Sequence, residues 1–414
     1  MAFLKLGVSL ALILFLVNKK VNRGLALALG AIVLSLLFGK GVLHAPERLL
    51  FTFTEKSSIN ITLSVTLICV LGYYMGEFGI LNKMIEYLEL MLQSSKKSIM
   101  FAPAFVGTLL VSGGALMSCP IVETLGCKLN LPKDKQAAVN MVFRHALYFI
   151  FPLSSTLILA VELGNFEMGH FVLMQLPMAL SMWIVGYLAY LRNVKEKSVV
   201  SNNEGKWLKS FGMLLLYSSP ILISLVSYSL GDYPLFMNIA LGIIVSLILV
   251  VLLPDIKKNF SKERLIGGFT KGIKLSIVLS IIGIMFFKNV VNDIPEIYDS
   301  IEGIINIGIP LEIILLICCA VISYPLASVQ PAVAILFPMI IPLAPDYITA
   351  LRYGMFIYTS AFIFYYISPL HMCQVLTLEY FDLKINHLYK NYKILLPVTY
   401  VVMVIVYILT GYLL

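Results

Sequence analysis

The chain has 414 residues, of which 60% are hydrophobic and only 13% are charged, and its mean hydropathy is +0.94. Soluble proteins carry about 25% charged residues, and no polar segment here is long enough to form a soluble domain. The net charge of +8 comes mostly from basic residues in short loops between apolar segments, so no nucleic-acid partner is expected. We therefore predict an all-α membrane protein whose main partner is the lipid bilayer.

About ten segments have the length and apolarity of membrane-spanning helices, which need about 20 such residues. Lys19, Lys20 and Arg23 follow the first segment, and positive charge on that side favours an uncleaved first span with its N-terminus outside. In chain order, the segments are residues 3–17, 24–39, 59–75, 136–163, 166–191, 208–230, 236–253, 268–287, 350–381 and 394–414.

Two further segments, residues 98–131 and 311–343, are long for one helix and short for two full spans. Irregular backbone at membrane depth survives only where protein or a water-filled cavity satisfies its polar groups. Each segment is therefore predicted to be a re-entrant helical hairpin. The residues that interrupt them are Gly113, Gly114, Pro120, Pro325, Pro331 and Pro338.

The distribution of basic residues favours two hairpins that enter from opposite sides of the membrane. With the N-terminus outside, 23 of the 30 Lys and Arg residues lie in inside loops, 6 lie outside, and Arg144 lies within the membrane. This is the bias that the positive-inside rule describes. A single crossing by residues 98–131 would remove it, unless other spans were redrawn. The expected location is the plasma (inner) membrane, crossed many times, with both termini outside.

The order of these segments repeats along the chain. Residues 1–192 and 208–414 each contain three spans, an amphipathic stretch, a hairpin, an interrupted helix and a final span, and a cytoplasmic linker at 193–207 joins them. The interrupted helices are residues 136–163 and 350–381. Because each half crosses five times, the second half is inverted, which is an arrangement found in many secondary transporters.

The two amphipathic stretches are residues 76–97 and 289–305. Their apolar residues recur at helical spacing with a polar opposite face, which is typical of helices that lie in the membrane interface. In transporters of the elevator type, such helices link a moving domain to a scaffold. Two passive surface helices are the alternative interpretation.

Four segments combine a helix breaker with small hydroxyl or amide side chains: the hairpin tips at 112–120 and 323–331 and the breaks at 151–156 and 368–374. Broken helices offer free backbone N–H and C=O groups, which suit a dehydrated Na⁺, a carboxylate or both. Alternatively, Gly and Pro only kink packed helices, and Ser and Thr bond back to the preceding turn. The candidate binding residues are Ser112, Gly113, Gly114, Ser118, Pro120, Arg144, Pro152, Ser154, Ser155, Thr156, Ser323, Ser328, Gln330, Pro331, Ser368, Pro369 and His371.

The titratable residues near these segments leave several roles open. Arg144 could pair with an anionic substrate or extend to the inner surface. His371 could bind substrate or carry a proton, or it could be a packed histidine with an ordinary hydrogen bond. Glu123 and Glu379 are the candidates for cation or proton coupling, and both could equally be interfacial carboxylates.

Known catalytic and cofactor motifs are missing from the sequence. It contains no Walker A segment, haem pair or hydrolytic triad, and its six cysteines show no metal-ligand spacing. We therefore expect neither an enzyme nor a cofactor, and no metal site other than Na⁺ at the four segments, with Na⁺ or H⁺ as the coupling ion.

Three motifs, residues 112–126, 325–338 and 365–381, resemble an uncharacterised membrane family, domain of unknown function 401, of the ion transporter superfamily. They read SGGALMSCPIVETLG, PLASVQPAVAILFP and YYISPLHMCQVLTLEYF. The superfamily includes dicarboxylate/sodium symporters, gluconate, lactate and citrate permeases, and sodium/proton antiporters. The resemblance implies a scaffold domain, often dimerising, and a transport domain with two hairpins. The Ser-Asn-Thr motifs of the dicarboxylate symporters are missing here, so their sites do not transfer.

These observations together predict a secondary active transporter of a small, anionic organic solute, coupled to Na⁺ or H⁺ and working by alternating access of the elevator type. One alternative is a cation/proton antiporter on the same scaffold, which would need an essential membrane acid. The other is an intramembrane enzyme or assembly factor, for which His371 with Cys373 or Glu379 is the one hint of a catalytic pair.

Overall fold

The computed structural model describes residues 2–108, 114–196, 206–231, 233–306 and 308–412, and within these ranges all regular structure is helical. The first half of the chain forms α1 (Ala2–Asn18), α2 (Arg23–Leu37), α3 (His44–Thr54), α4 (Lys56–Glu77), α5 (Ile80–Leu92), α6 (Ser95–Thr108), α7 (Gly114–Lys128), α8 (Lys133–Ala146) with a 3₁₀ turn (Leu147–Phe149), α9 (Ser155–Gly164) and α10 (Met168–Tyr190). The second half forms α11 (Lys206–Leu230), α12 (Leu235–Leu252), α13 (Pro254–Lys257), α14 (Lys262–Gly267) with a π turn (Gly268–Gly272), α15 (Leu275–Asn292), α16 (Pro295–Asn306), α17 (Leu311–Leu326), α18 (Gln330–Ile340) with a 3₁₀ turn (Ile341–Leu343), α19 (Tyr347–Ile367), α20 (Met372–Phe381) and α21 (Ile385–Gly411).

Seven helical stretches among the described residues are long and apolar enough to cross a membrane, and five shorter apolar helices accompany them. Their outward-facing side chains are largely Leu, Ile and Val, which water would not favour but lipid does. The protein is therefore a multi-pass membrane protein, as its composition predicts.

Helix α3 and the region around α15 differ from the sequence prediction for identifiable reasons. Helix α3 was not predicted, because it begins with polar residues that lower its hydropathy. Two of these residues, His44 and Arg48, contact Asp293 at the end of α15 at 3.0 and 2.8 Å. Helix α15 begins and ends later than the predicted span, since the π turn occupies residues 268–272 and the helix continues to Asn292. The amphipathic helix that follows it, α16, consequently starts at Pro295 rather than at residue 289.

Each predicted hairpin segment contains two helices that pack against each other, α6 with α7 and α17 with α18. Residues 109–113, between the two helices of the first hairpin, lie outside the described residues. In the second, Ala327 ends α17 in the left-handed region with φ of 46°, and Pro331 stands in the first turn of α18, where its missing N–H is not needed. Re-entry of these hairpins from opposite sides of the membrane stays a prediction.

Proline also accompanies both breaks in the predicted interrupted helices. Residues 147–154 separate α8 from α9 and contain Pro152, and residues 368–371 separate α19 from α20 and contain Pro369. A residue that precedes proline is pushed away from helical geometry, and Ser368 accordingly has an extended backbone with ψ of 130°. Each break therefore leaves a new helix N-terminus, at Ser155 and at Met372.

The helices form two packed groups. Helices α1, α2, α4, α11, α12 and α15 pack on one another, with α2 along α15 and α4 along α12, while α5 lies against α11. The hairpins, the broken helices, α10 and α21 form the other group, and α15 with α18 is the largest contact between the groups. The α2–α15 contact is close because Gly24 and Gly283 face each other, as small residues commonly do between membrane helices.

We predict that Gly283→Ala destabilises the protein. A methyl group at this position would overlap the backbone carbonyl of Gly24, and backbone cannot move aside as a flexible side chain does. Overpacking of this kind costs about 1–3 kcal/mol in free energy of unfolding. Thermal and denaturant unfolding of the purified protein in detergent measures the loss.

The matched control is Gly7→Ala on α1, where an added methyl group meets nothing within 4 Å. This variant should unfold like the wild type. Equal stability of the two variants would contradict the close α2–α15 contact.

Candidate functional site

A cavity of about 300 Å³ lies where the second hairpin tip and both helix breaks meet. Ser154, Ser155 and Thr156 line it from the first break, and Ser328 and Gln330 line it from the hairpin tip. The other lining residues are Arg23, Gly107, Thr108, Leu147, Tyr148, Phe151, Ala327, Val329, Tyr365, His371, Met372 and Cys373. A cavity of this size is at the lower end of the range for small-molecule sites.

Three helix N-termini border this cavity. The first turns of α9, α18 and α20 supply Ser155, Gln330 and Met372 to its wall. In each case the residue that precedes the helix makes no side-chain capping hydrogen bond. Unpaired N–H groups and the positive end of the helix dipole favour a negatively charged ligand.

Arg23, the first residue of α2, is the charged side chain of the cavity wall. It donates from Nη1 to the Ser328 hydroxyl at 3.2 Å and from Nη2 to the Leu326 carbonyl at 3.4 Å. Among the described residues no carboxylate lies within 4.0 Å of it, and none lines the cavity. A guanidinium held by neutral groups has capacity to bind a carboxylate or phosphate.

Hydrogen bonds across the cavity join the segments that form it. Gln330 Nε2 donates to the Ser155 hydroxyl at 3.1 Å, which connects the second hairpin tip to the first break. Tyr148 donates to Thr156 at 2.8 Å within the first break. Both halves of the chain therefore contribute hydrogen-bonded polar side chains to the wall of the cavity.

The structure brings six of the predicted site residues to the cavity: Ser154, Ser155, Thr156, Ser328, Gln330 and His371. Ser323, Pro331 and Ser368 are buried in the packing beside it, Pro152 is half-buried, and Pro120 and Pro369 are exposed. Gly114 begins α7, and Ser112 and Gly113 lie outside the described residues. From the sequence we expect Ser112, Ser154, Ser323 and Ser368 to lie near one cavity: Ser154 lines it, Ser323 and Ser368 are buried beside it, and the position of Ser112 is not described.

Arg144 lies behind the cavity wall rather than on it. It is 8% exposed, and its Nη1 is 3.5 Å from the hydroxyl of Ser118 on α7. Its backbone carbonyl packs against Gly107, which does line the cavity. The side chain therefore connects the first hairpin to α8 and does not extend to the inner surface.

The two predicted acids are also placed away from the cavity. Glu123 on α7 accepts a hydrogen bond from Tyr380 at 2.6 Å, and Glu379 on α20 is exposed. Neither belongs to the cavity wall.

Two buried histidines meet at the edge of the cavity. His145 lies in the last turn of α8 and is 4% exposed, and His371 precedes α20 and is 1% exposed. Their ring centroids are 4.9 Å apart, and the ring of Tyr365 lies 4.1 Å from that of His371. Cys373 completes the group, because the ligand atoms of the two histidines and this cysteine all lie within 4.8 Å of one another.

Sequence reasoning missed Arg23, Tyr148 and Tyr365 as members of the site. Arg23 reads as one of several basic residues that follow the first span, and its partner Ser328 is 305 residues away along the chain. Tyr148 and Tyr365 read as ordinary aromatic residues of apolar helices. No local pattern marks any of the three, because their role depends on contacts between the halves.

The sequence matches the family described as "Protein of unknown function (DUF401)" over residues 2–410, which confirms the resemblance seen in the motifs. No curated protein matches the sequence. The fold is similar to that of solved structures, including the crystal structure of the YdaH transporter of Alcanivorax borkumensis, whose topology is described as unusual. That similarity has a TM-score of 0.60, with 14% sequence identity, and it covers 90% of this chain and 88% of that chain.

We predict that the two breaks differ in access from the aqueous phase. A cysteine at position 154 would face the cavity, whereas one at position 368 would be buried in the packing. In a background with Cys127→Ser and Cys373→Ser, Ser154→Cys should react with a small water-soluble thiol reagent and Ser368→Cys should not, since reaction requires exposure. Mass spectrometry of the labelled protein measures the two rates.

Both positions stand beside a proline-containing break, so each variant serves as the control for the other. Equal reaction of the two cysteines, or reaction at 368 alone, would contradict the position of the cavity.

Proposed function

This chain belongs to the DUF401 family, and we propose that it is a secondary active transporter of a small, anionic organic solute, coupled to Na⁺ or H⁺. The observation that carries the proposal is the cavity at the helix breaks, where Arg23 and three helix N-termini meet without a carboxylate among the described residues. The fold shared with a known transporter supports it.

The charge of the cavity favours an anion over a cation. Arg23 supplies a full positive charge, and the uncapped starts of α9, α18 and α20 supply partial positive charges on the same side. Hydroxyl and amide groups of Ser154, Thr156 and Gln330 can donate to the oxygens of a carboxylate. Neutral oxygens in the same wall could hold a coupling Na⁺ beside the solute.

Alternating access by an elevator movement is the proposed mechanism, with hairpins at 98–131 and 311–343 that gate from opposite sides. Corresponding contacts in the two halves support the inverted repeat on which it depends. The contact of α2 with α15 corresponds to the contact of α12 with α4 when the two halves are exchanged. In the same way, the contact of α9 with α18 corresponds to the contact of α20 with α7. The amphipathic helix α5, held between α11 and α6, is suited to link a fixed group of helices to a moving one.

We further propose that the protein resides in the plasma (inner) membrane with both termini outside, as the bias of its basic residues indicates. A homodimer through the group that contains α1, α2, α11 and α12 is the proposed assembly. The many exposed Leu and Ile side chains of α12 and α11 are consistent with either lipid or a second copy at that surface.

We predict that small carboxylates stabilise the purified protein against heat. A ligand at 100 times its dissociation constant adds about 2.7 kcal/mol to the free energy of unfolding. The measurement is the melting temperature with succinate, lactate, gluconate or citrate, each in NaCl or KCl and at two pH values. A shift with one carboxylate that is larger in Na⁺ supports the symporter, whereas a shift with Na⁺ or pH alone overturns it in favour of the antiporter.

We predict that Arg23→Gln reduces that stabilisation. A hydrogen bond to a charged group contributes about 1.5–3 kcal/mol, so the dissociation constant for the stabilising carboxylate should rise about 10- to 150-fold. Arg23→Lys keeps the charge but loses the bidentate geometry, so its dissociation constant for the carboxylate should lie between those of the wild type and of Arg23→Gln.

The control is Lys20→Gln, which removes an exposed charge from the loop that precedes α2 and should leave the affinity unchanged. Arg23→Gln protein that folds normally and binds the carboxylate like the wild type would exclude Arg23 from the site.

A further inference from the structure

We propose that His145, His371 and Cys373 form a binding site for a single transition-metal ion of the Zn²⁺ class. His145 comes from the end of α8 in the first half, and the other two come from the start of α20 in the second. Their ligand atoms, one from each residue, all lie within 4.8 Å of one another. Imidazole nitrogen and thiolate sulfur are the ligands that Zn²⁺ prefers in proteins.

The hydrogen bonds of the two imidazole rings leave one nitrogen of each with a lone pair that a metal ion could use. His145 Nδ1 is 2.7 Å from the carbonyl of Met141 and His371 Nδ1 is 3.5 Å from the carbonyl of Tyr366. A carbonyl can only accept, so Nδ1 carries the proton in both rings and donates it. Nε2 is then left with a lone pair, and a backbone carbonyl on the opposite nitrogen is the usual second-shell arrangement of metal-binding histidines.

His371 Nε2 supplies the second, independent observation. The side chain is 1% exposed, and among the described residues its Nε2 has no hydrogen-bond partner. A buried polar atom without a partner costs about 1–3 kcal/mol. A metal ion between this nitrogen, His145 and Cys373 would satisfy the lone pair that the protein leaves open.

The number of ligands and the surroundings suit an ion with one accessible position. Zn²⁺ sites with three protein ligands keep the fourth position for water or another small ligand, with bond lengths of about 2.0–2.3 Å. His371 and Cys373 line the cavity, and Tyr365, also in its wall, donates a hydrogen bond from its hydroxyl to His145 Nε2 at 3.4 Å, which the ion would replace. The open position therefore faces the cavity. The Cys373 thiolate offsets part of the repulsion from the neighbouring Arg144.

This site does not depend on the proposed transport activity, and it is tested by binding alone. The full-length protein in detergent is first treated with a chelator and then titrated with Zn²⁺ by calorimetry and with Co²⁺ by absorption spectroscopy. The wild type should bind one Zn²⁺ per chain, and Co²⁺ should give the thiolate-to-metal charge-transfer band that sulfur ligation produces. The absence of a stoichiometric ion or of this band would overturn the proposal.

Three substitutions identify the ligands. Cys373→Ser should abolish the charge-transfer band, and both it and His371→Gln should weaken Zn²⁺ binding at least about 10-fold. Cys373→His should keep Zn²⁺ bound while it loses the band, which a merely structural role of Cys373 would not produce. The control is the double variant Cys127→Ser/His387→Gln, whose cysteine and histidine are both exposed and lie outside the group.

Chelator-treated wild type and variants are compared by thermal unfolding, so that a folding failure is recognised separately. Zn²⁺ affinity in Cys373→Ser equal to that of the wild type would overturn the site. Stabilisation of the chelated protein by carboxylates tests the proposed transport function independently, because Arg23 and the helix N-termini do not require the ion.

Discussion

The breaks in α8–α9 and α19–α20 are possible only because other helices satisfy the backbone groups that they leave unpaired. Within a membrane no water is available to do so, and each unsatisfied group costs several kcal/mol. Tyr358 donates to the carbonyl of Tyr148 in the first break at 3.0 Å. In the second, Gln374 donates to the carbonyl of Ser368 and Tyr389 to that of Ile367, at 3.2 and 2.7 Å. These bonds fix both breaks to the helices around them.

The same bonds decide what the cavity can recognise. Because side chains satisfy the carbonyls at the ends of the broken helices, the groups left facing the cavity are the N-termini of α9 and α20, with the start of α18 beside them. Arg23 adds its charge from α2, a helix of the other packed group, and bonds to the hairpin tip through Ser328. The cavity thus lies where the two groups of helices meet, and a movement of one group past the other would alter it.

Much of the fold could be predicted from the sequence, because lipid imposes a simple requirement on long apolar helices. Hydropathy identified the long helices, Pro152 and Pro369 marked the two breaks, and Pro331 marked the start of the second helix of the second hairpin. Helix α3 was not predicted, because a short helix that begins with polar residues has no hydropathy signal of this kind. Among the residues that line the cavity, Ser154, Ser155, Thr156, Ser328, Gln330 and His371 could be predicted, since each stands beside a helix breaker that exposes backbone polar groups.

The sequence by itself determined that this protein is a multi-pass membrane protein with two interrupted helices, because composition and breakers act locally along the chain. Only the tertiary structure decided that Arg23 belongs to the cavity while Arg144 lies behind it. It also decided that His145 meets His371 and Cys373. These contacts join opposite halves of the chain, and the physical reason that they could not be predicted is that packing between distant helices, rather than any local pattern, sets the direction of each side chain.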